Sequence, residues 1–449
     1  MLCSRTLPKG SGGGPAVYAV LALGLLGCGA FVAVAPGVTV RVGLPAAAAL
    51  LVAATVVARA DRILDAGWVI VLELYLIGPV GALLSRAGLP LVMTPVVALA
   101  PLPFVATAFW TRDAARRALI LLGPLCALWA LAALSLLWSP DREAGTSKLV
   151  LSLLTGLVPA AWVLVLAGAR GRVAWGLIAA VALVSAAGLI VFGVASPTYP
   201  GRPTLFDANP IWAARAIFIG ALVALFGPFP RLARAAAVPV MVVAGLLTVS
   251  LGPFLGLVAG AWAGIGETLR CRPAARPALL AAWILVGAAV AALVLVGLTG
   301  AVEPASPLLS RVLDDPNATS RGTFLQVAAE IFARSPVLGS GLGAFASTGL
   351  DAYPHNLVAE IASELGVLGL AAVASWLVLA LRGAAGSPLL VALLVASAVY
   401  TLGSGSMASN TEFWVISAVA AARLPVRAAA DAGLRPTASL VPASTGADG

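Results

Sequence analysis

Charge is scarce in this chain of 449 residues: only 10 % of its residues are charged, whereas 61 % are hydrophobic. Soluble domains carry about 25 % charged residues, so this chain has too few to cover a surface that faces water. Apolar runs of about 20 residues, the length that crosses a bilayer as a helix, follow one another along the sequence. The runs are continuous rather than alternating, which excludes a transmembrane β-barrel. We therefore predict an all-α, polytopic integral membrane helical bundle with about 12 to 14 transmembrane helices.

Histidine, lysine and cysteine are rare as well. The chain contains one histidine, His355, two lysines, Lys9 and Lys148, and four cysteines. The cysteines fall within predicted spans or on the predicted cytoplasmic side, so we expect no extracytoplasmic disulfide. The sequence contains no phosphate loop and no cluster of metal-ligating residues. We therefore expect no cofactor and no bound metal.

Arginine supplies almost all of the positive charge. The formal net charge is +9, and the arginines lie singly or in small groups between the apolar runs. This spacing is typical of topology signals rather than of a polyanion-binding surface, so nucleic acid is not an expected partner. With the N-terminus in the cytoplasm, 18 basic residues lie on the cytoplasmic side, 8 lie outside and Arg215 lies within a span. The positive-inside rule favours this orientation.

The predicted organisation follows from the apolar runs and the orientation. Residues 1–299 form N-terminal transmembrane helices, 300–355 one large extracytoplasmic loop that carries short helices, 356–424 C-terminal transmembrane helices, and 425–449 a disordered cytoplasmic tail. Four of the predicted spans are short enough to be half-helices, re-entrant segments or parts of longer helices. The predicted spans are 16–36, 44–59, 66–85, 90–110, 118–138, 149–168, 174–195, 211–228, 237–250, 253–267, 278–299, 356–381, 388–404 and 412–424.

A few ionisable residues lie inside these spans or at their edges. They are Glu73, Arg215, Glu360, Glu364 and Glu412. A charged side chain is costly within a bilayer, so each is a candidate for function. Glu73 and Glu412 are equally compatible with a structural pairing to another helix.

Two arginines lie close to a predicted helix start. Asn209-Pro210 suits the beginning of a helix, with proline in its first turn, and Arg215 follows about one and a half turns later. Arg202 precedes the same helix. Two guanidinium groups near a helix N-terminus would suit an anion, since free backbone N–H groups and the helix dipole add to the attraction. In the alternative reading, Arg202 reaches lipid head groups and Arg215 pairs with a buried glutamate.

The predicted loop contains one helix and one flexible turn. From Arg321 to Arg334 apolar residues recur at i, i+3, i+4, i+7 and i+8, starting at Phe324, which predicts an amphipathic helix on the membrane or on the bundle. Three glycines between Gly339 and Gly343 then predict a turn whose backbone approaches a ligand or another helix closely.

His355 follows this turn and precedes the next span. Asn356, Glu360 and Glu364 share one face of the helix that begins there, since they are spaced by four residues. A neutral imidazole can accept a proton, so the only histidine of the chain is a candidate general base. A solvated loop histidine without a function is the alternative.

The run from His355 to Gly369 (HNLVAEIASELGVLG) resembles the signature of the bacterial O-antigen ligases. That signature is His, then Asn, Ser or Gln, then nine residues, then Gly-x-x-Gly, here Gly366 and Gly369. Residues 321–343, 138–141 and 201–210 are similar to further segments of this superfamily, which also includes polysaccharide polymerases. The resemblance covers about 135–370. The chain departs from the pattern at Ser250-Leu251-Gly252, where the superfamily often has Ser-Arg-Gly.

The resemblance implies transfer of a glycan from a polyprenyl-diphosphate donor to an acceptor hydroxyl on a glycan, lipid or protein, without a metal. The reaction would take place at the outer face of the bacterial cytoplasmic (inner) membrane, among membrane lipids. His355 would be the general base, and Asn356 or Glu360 would orient it. Arg202, Arg215 and Arg321 would hold the diphosphate. Asn209, Glu364, Gly366 and Gly369 would support the site.

Several functions remain compatible with these residues. A ligase and a polymerase of the superfamily share the donor chemistry and differ in the acceptor. A transporter or flippase of an envelope glycan has a similar number of helices, but transporters place ionisable groups near the bilayer midplane and often contain repeats. A non-catalytic scaffold for envelope assembly is the third reading, because Leu251 stands where the superfamily often has arginine.

Overall fold

The computed structural model describes residues 112–170, 175–195, 202–204, 209–271, 277, 280–281, 284 and 316–424. Several predictions lie outside the described residues: spans 16–36, 44–59, 66–85 and 90–110, most of span 278–299, Glu73, the first part of the predicted loop (300–315) and the tail 425–449.

Helices dominate the described chain. In chain order they are α1 (Arg112–Ser135), α2 (Arg142–Ser152), α3 (Val158–Arg170), α4 (Trp175–Phe192), α5 (Pro210–Phe226), α6 (Arg231–Leu247), α7 (Leu251–Cys271), α8 (Pro316–Arg334), α9 (Leu357–Ala384), α10 (Pro388–Gly403) and α11 (Thr411–Ala421). A π-helical turn, Leu153–Leu157, joins α2 to α3, and Ala346–Thr348 is a 3-10 turn. Two short strands, β1 (Val194–Ala195) and β2 (Pro203–Thr204), form one antiparallel pair.

The all-α class predicted from composition is confirmed, and the protein is membrane-embedded. Among the described residues, three segments are long and apolar enough to cross a membrane: Ala118–Ser135, Arg142–Val165 and Leu357–Ala384. Further apolar helices are shorter. The predicted spans 237–250 and 253–267 are separate helices, α6 and α7, rather than one merged span. The amphipathic helix predicted from Arg321 to Arg334 is confirmed as α8.

Two short helices lie at the centre of the bundle. Every described side chain of α11 is buried, and so are nearly all those of α5. A helix that is apolar on all sides is stable in lipid or inside a protein, and the burial of these two helices shows that other helices surround them. With a rise of 1.5 Å per residue, the 11 residues of α11 extend only about 16 Å, roughly half of the hydrocarbon thickness. The N-terminal turn of α11 is therefore placed inside the protein, where it meets the first turns of α5.

Small residues allow α7 and α10 to pack closely. Gly256, Gly260 and Gly264 recur at four-residue spacing on one face of α7, and each faces α10. A Cβ at Gly260 would lie 2.6 Å from the carbonyl oxygen of Ala392 and 2.9 Å from the Ala396 side chain. Small residues at this spacing allow helix backbones in membranes to approach each other.

The connecting segments meet at one end of the bundle. The Trp138 indole N–H, in the turn between α1 and α2, donates a 3.2 Å hydrogen bond to the Gly339 carbonyl. The Ser139 hydroxyl donates a 2.6 Å bond to the Leu342 carbonyl. These contacts hold the glycine turn against the bundle, and the candidate site lies at the same end.

Candidate active site

A cavity of about 520 Å³ lies between α2, the first turns of α5 and the first turn of α11. A cavity of this volume can hold a small ligand. Two cations, Arg215 and Lys148, line it together with the aromatic side chains of Trp212 and Tyr353. The remaining lining residues are Ala144, Ser147, Leu151, Thr155, Ala216, Ala346, Ala352, Ser406, Ala408, Ser409, Thr411 and Glu412.

Arg215 is placed by the helix start that the sequence predicted. The Asn209 side-chain oxygen accepts a 2.9 Å bond from the Ile211 N–H, and Pro210 occupies the first turn. Asparagine caps and proline fits there because the first backbone N–H groups of a helix have no partner within it. Asn209 thus supports the site by starting α5, and the position one and a half turns later points into the protein core.

Protein oxygens surround most of the Arg215 guanidinium. Its Nη1 is ion-paired with Glu412 Oε1 and donates a 3.1 Å bond to Asn410 Oδ1. Its Nη2 donates to the carbonyls of Tyr400 at 3.0 Å and Ser404 at 2.8 Å. Nε is buried without a hydrogen-bond partner. The structure therefore contains the glutamate pairing considered for Arg215, and it also places this arginine at the cavity.

Lys148 forms a second buried ionic cluster. Its ammonium group lies 2.8 and 2.9 Å from the two carboxylate oxygens of Glu364 and 3.0 Å from Glu360 Oε1. The Lys148 side chain is 8 % exposed, and that of Glu360 is 0 % exposed. One ammonium thus faces two carboxylates in a dry environment. Sequence analysis placed Lys148 among the external topology charges and missed this role.

The Lys148 cluster also holds two loops. Glu360 Oε2 accepts a 2.8 Å bond from the Met407 N–H, in the segment between α10 and α11. Glu364 Oε1 accepts a 3.3 Å bond from the Phe345 N–H, in the segment between α8 and α9. Both segments contribute cavity-lining residues. The shared helical face predicted for Glu360 and Glu364 thus serves to join α2, α9 and the two loops.

The helix α9 is broken at Gly366, where φ is +65° and ψ is −161°. The break leaves carbonyl and N–H groups without helical partners, and the glycine turn satisfies them. Ser340 and Gly341 donate from their N–H groups to the carbonyls of Ser363 at 2.9 Å and Glu364 at 3.0 Å. Val367 donates to the Pro336 carbonyl at 2.8 Å. A Cβ at Gly366 would overlap the Val337 carbonyl.

This geometry explains the first glycine of the signature. Only glycine adopts a positive φ without strain and leaves room for a neighbouring backbone. The predicted close approach of the 339–343 turn is confirmed, and its partner is the break in α9. Gly369 lies one turn further along, against the Ile361 and Leu365 side chains of its own helix.

His355 lies beside the cavity rather than in its lining. Its Nε2 is 3.2 Å from Asp351 Oδ2, and its side chain is 27 % exposed. The imidazole is stacked on Phe324 of α8, with centroids 5.7 Å apart and planes at 21°. Its centroid lies 4.6 Å from that of Tyr353, which lines the cavity. The backbone of His355 has a φ of +55°, an uncommon value for a residue with a Cβ.

The expectation that Asn356 or Glu360 orients His355 is wrong. The Asn356 side-chain oxygen accepts a 3.0 Å bond from the Ala359 N–H and so caps α9. Its amide nitrogen donates a 2.9 Å bond to the Leu402 carbonyl. Glu360 is engaged with Lys148. Asp351, which the sequence patterns do not single out, is the residue whose carboxylate lies within hydrogen-bond distance of the imidazole.

The other two candidate arginines lie near the site without lining the cavity. Arg321 is half-buried on α8, one turn before Phe324, so it shares a helical face with the residue that stacks on His355. Arg202 is half-buried just before β2, a strand that contacts α5. Leu251, where the superfamily often has arginine, is the exposed first residue of α7.

The Tyr353 side chain lines the cavity, and its ring also contacts the His355 imidazole. Burial, followed by the nearby charge of Asp351, raises the pKa of the Tyr353 phenol above its ordinary value. The phenol therefore stays protonated at neutral pH and can donate a hydrogen bond into the cavity. No three His, Cys, Asp or Glu side chains form a metal-binding group within the described ranges.

Comparison with protein families identifies the same segment that carries the signature. The family model described as O-antigen ligase matches residues 236–374, which extend from α6 into α9 and include His355. A comparison with curated proteins finds no match. The matched segment contains the histidine signature, so the family match supports the resemblance of this membrane protein to the superfamily of O-antigen ligases and polymerases.

Proposed function

We propose that this protein transfers a glycan from a polyprenyl-diphosphate donor to an acceptor hydroxyl at the outer face of the cytoplasmic membrane. The family match supports glycosyl transfer of the O-antigen ligase or polymerase type. The observation that carries the finer proposal is the cavity itself. A buried arginine lines it, and Tyr353, also in its lining, contacts the only histidine of the chain.

The distribution of basic residues supports an external site. Basic residues occur at or near most helix termini at the end opposite the cavity, which is typical of a cytoplasmic side. Those with described positions are Arg112, Arg116, Arg117, Arg170, Arg231, Arg234, Arg270, Arg382 and Arg423. A donor whose lipid lies in the outer leaflet then reaches the cavity from the membrane boundary.

In the proposed reaction, His355 removes the proton of the acceptor hydroxyl. The acceptor oxygen attacks the anomeric carbon of the donor sugar, and the bond from that carbon to the diphosphate oxygen breaks. The electron pair leaves with the polyprenyl diphosphate, whose increased charge requires positive partners. Arg215 lines the cavity, and in this proposal Arg321 of α8 and Arg202 before β2 add positive charge from outside the lining.

The charges around the cavity explain why more than one arginine is needed. Arg215 and Lys148 carry two positive charges, while Glu360, Glu364 and Glu412 carry three negative charges when ionised. The cavity lining and the carboxylates paired with Lys148 therefore carry no net positive charge together. Arg202 and Arg321 supply the further positive charge for a diphosphate in this proposal.

A genetic experiment tests the proposal. A strain that lacks the gene is complemented with wild type, His355→Ala or Arg334→Ala, and its envelope glycans are profiled. Arg334 is an exposed residue at the end of α8, so it controls for loss of charge on the same side. We expect wild type and Arg334→Ala to restore the glycan, and His355→Ala to accumulate the polyprenyl-linked precursor at equal protein levels.

The outcome also separates the alternatives. The linkage of the restored product distinguishes a ligase from a polymerase. A normal profile with His355→Ala at wild-type protein levels contradicts the general-base role. Accumulation of precursor on the cytoplasmic side in the deletion strain indicates a flippase instead.

A further inference from the structure

We propose that Asp351 is a positioning residue that holds His355 as the tautomer with its proton on Nε2, so that Nδ1 is the atom that receives the acceptor proton. The inference rests on the proposed function and names the reacting atom of that same site. It starts from one contact, the 3.2 Å separation of His355 Nε2 and Asp351 Oδ2.

The chemistry of the two groups determines the tautomer. An ionised carboxylate only accepts hydrogen bonds, so the nitrogen that faces it must carry a proton. In a neutral imidazole the other nitrogen then holds the lone pair. A lone pair on Nε2 would face the negative oxygen of Asp351 and be repelled. The hydrogen bond made by one ring nitrogen thus decides which nitrogen acts as the base.

Neighbouring aromatic rings restrict the plane of the imidazole. Phe324 stacks nearly parallel to it, and Tyr353 approaches it at an angle of 56°. The backbone of His355 is in the left-handed region, which is strained for a residue with a Cβ. Strained backbone of this kind persists where the surrounding structure requires it, frequently at functional sites. These neighbours therefore hold the imidazole in the orientation that keeps Nε2 beside Asp351, and Nδ1 is then the nitrogen available for the acceptor proton.

The proton of the acceptor hydroxyl can be followed through the whole transfer step. The acceptor hydroxyl loses its proton to Nδ1 as its oxygen bonds to the anomeric carbon, and His355 becomes an imidazolium with protons on both nitrogens. Asp351 stabilises that positive charge without taking the proton. The side chains of His355 and Asp351 are 27 % and 38 % exposed, so the proton then passes from Nδ1 to water and restores the neutral imidazole.

The single histidine makes the tautomer directly measurable. Full-length protein is labelled with ¹⁵N-histidine, purified through a tag that contains no histidine, and studied by NMR in detergent at alkaline pH. Couplings from the ring protons assign Nδ1 and Nε2. We expect one fixed tautomer in the wild type, with Nδ1 as the lone-pair nitrogen. Asp351→Ala should give signals averaged between the two tautomers, as in a mobile free imidazole.

Matched variants and a second readout complete the test. Glu330→Gln removes an exposed carboxylate from α8 and should leave the spectrum and the transfer rate unchanged. Asp351→Ala should lower kcat by at least about tenfold with little change in KM. This loss of kcat should be smaller than the 10²–10⁴-fold effect attributed to a general base. Asp351→Leu, which has a similar volume and no hydrogen-bonding group, provides the same comparison if the alanine variant folds poorly.

Two results would overturn the inference. One is a wild-type protein with the proton on Nδ1. The other is a spectrum that Asp351→Ala leaves unchanged. Because the tautomer is measured without any transfer reaction, its failure is separate from failure of the proposed function, which would appear as wild-type protein without transfer activity.

Discussion

Loss of the Lys148 ammonium should destabilise the protein far more than loss of one of its carboxylate partners. In Lys148→Met the two carboxylates of Glu360 and Glu364 remain buried and unpaired, since both side chains are at most 1 % exposed. Removing one partner of a buried ion pair costs about 3–5 kcal/mol. Glu364→Gln instead keeps the 3.0 Å pair of Lys148 and Glu360 and removes one of two like charges. We expect it to cost only about 1 kcal/mol.

The difference can be measured as thermal stability. Each purified variant is heated in detergent, and the fraction that remains monodisperse is followed by size-exclusion chromatography. About 1 kcal/mol corresponds to roughly 2 °C in a chain of this size, so Lys148→Met should lower the midpoint by about 6–10 °C and Glu364→Gln by about 2 °C. The double variant leaves one unpaired carboxylate rather than two, so it should be more stable than Lys148→Met alone.

The expected difference requires that Lys148, Glu360 and Glu364 are shielded from water as one buried cluster. Equal, small effects of Lys148→Met and Glu364→Gln would refute it, because water would then be solvating the charges. Strictly additive effects in the double variant would refute it as well.

Three further predictions concern other parts of the site. Gly366→Ala should prevent accumulation of folded protein because its Cβ would overlap the Val337 carbonyl, whereas Gly322→Ala, with open space around an exposed helical position, should be tolerated; membrane-fraction immunoblots compare the two. Arg215→Lys should lower the transfer rate per protein at least about tenfold, because an ammonium cannot reproduce the planar contacts of a guanidinium; wild-type rates would contradict the donor role. Burial raises the pKa of Tyr353 above 10.0, so its stabilising contribution is present below about pH 10 and is lost as the pH rises further. Tyr353→Phe should therefore show a smaller drop in melting midpoint than wild type between pH 9 and pH 11, and an identical drop would contradict this.

Local patterns predicted the local structure. The spacing of apolar residues after Arg321 predicts α8, and Asn209-Pro210 predicts the start of α5. The positive φ of the glycines between Gly339 and Gly343 agrees with the predicted turn. These features depend on neighbouring residues, so a single sequence contains the information for them.

Long-range pairings were beyond the sequence patterns. Lys148 and Glu364 are 216 positions apart, and no periodicity connects them. One signal was available: two glutamates one turn apart in an apolar chain need a cation, and the chain has only two lysines. Asp351 lies in an irregular segment, where only the folded backbone places its carboxylate beside the imidazole.

A reconstituted transfer assay tests the central claim most directly. Purified protein in liposomes is given the polyprenyl-diphosphate-linked glycan extracted from the deletion strain, together with acceptor from the same strain, and the product is followed by gel and mass spectrometry. The account predicts product and free polyprenyl diphosphate with wild type and Arg334→Ala, and a rate about 10²–10⁴-fold lower with His355→Ala. Transfer by His355→Ala at the wild-type rate, or no transfer by folded wild-type protein, would contradict it.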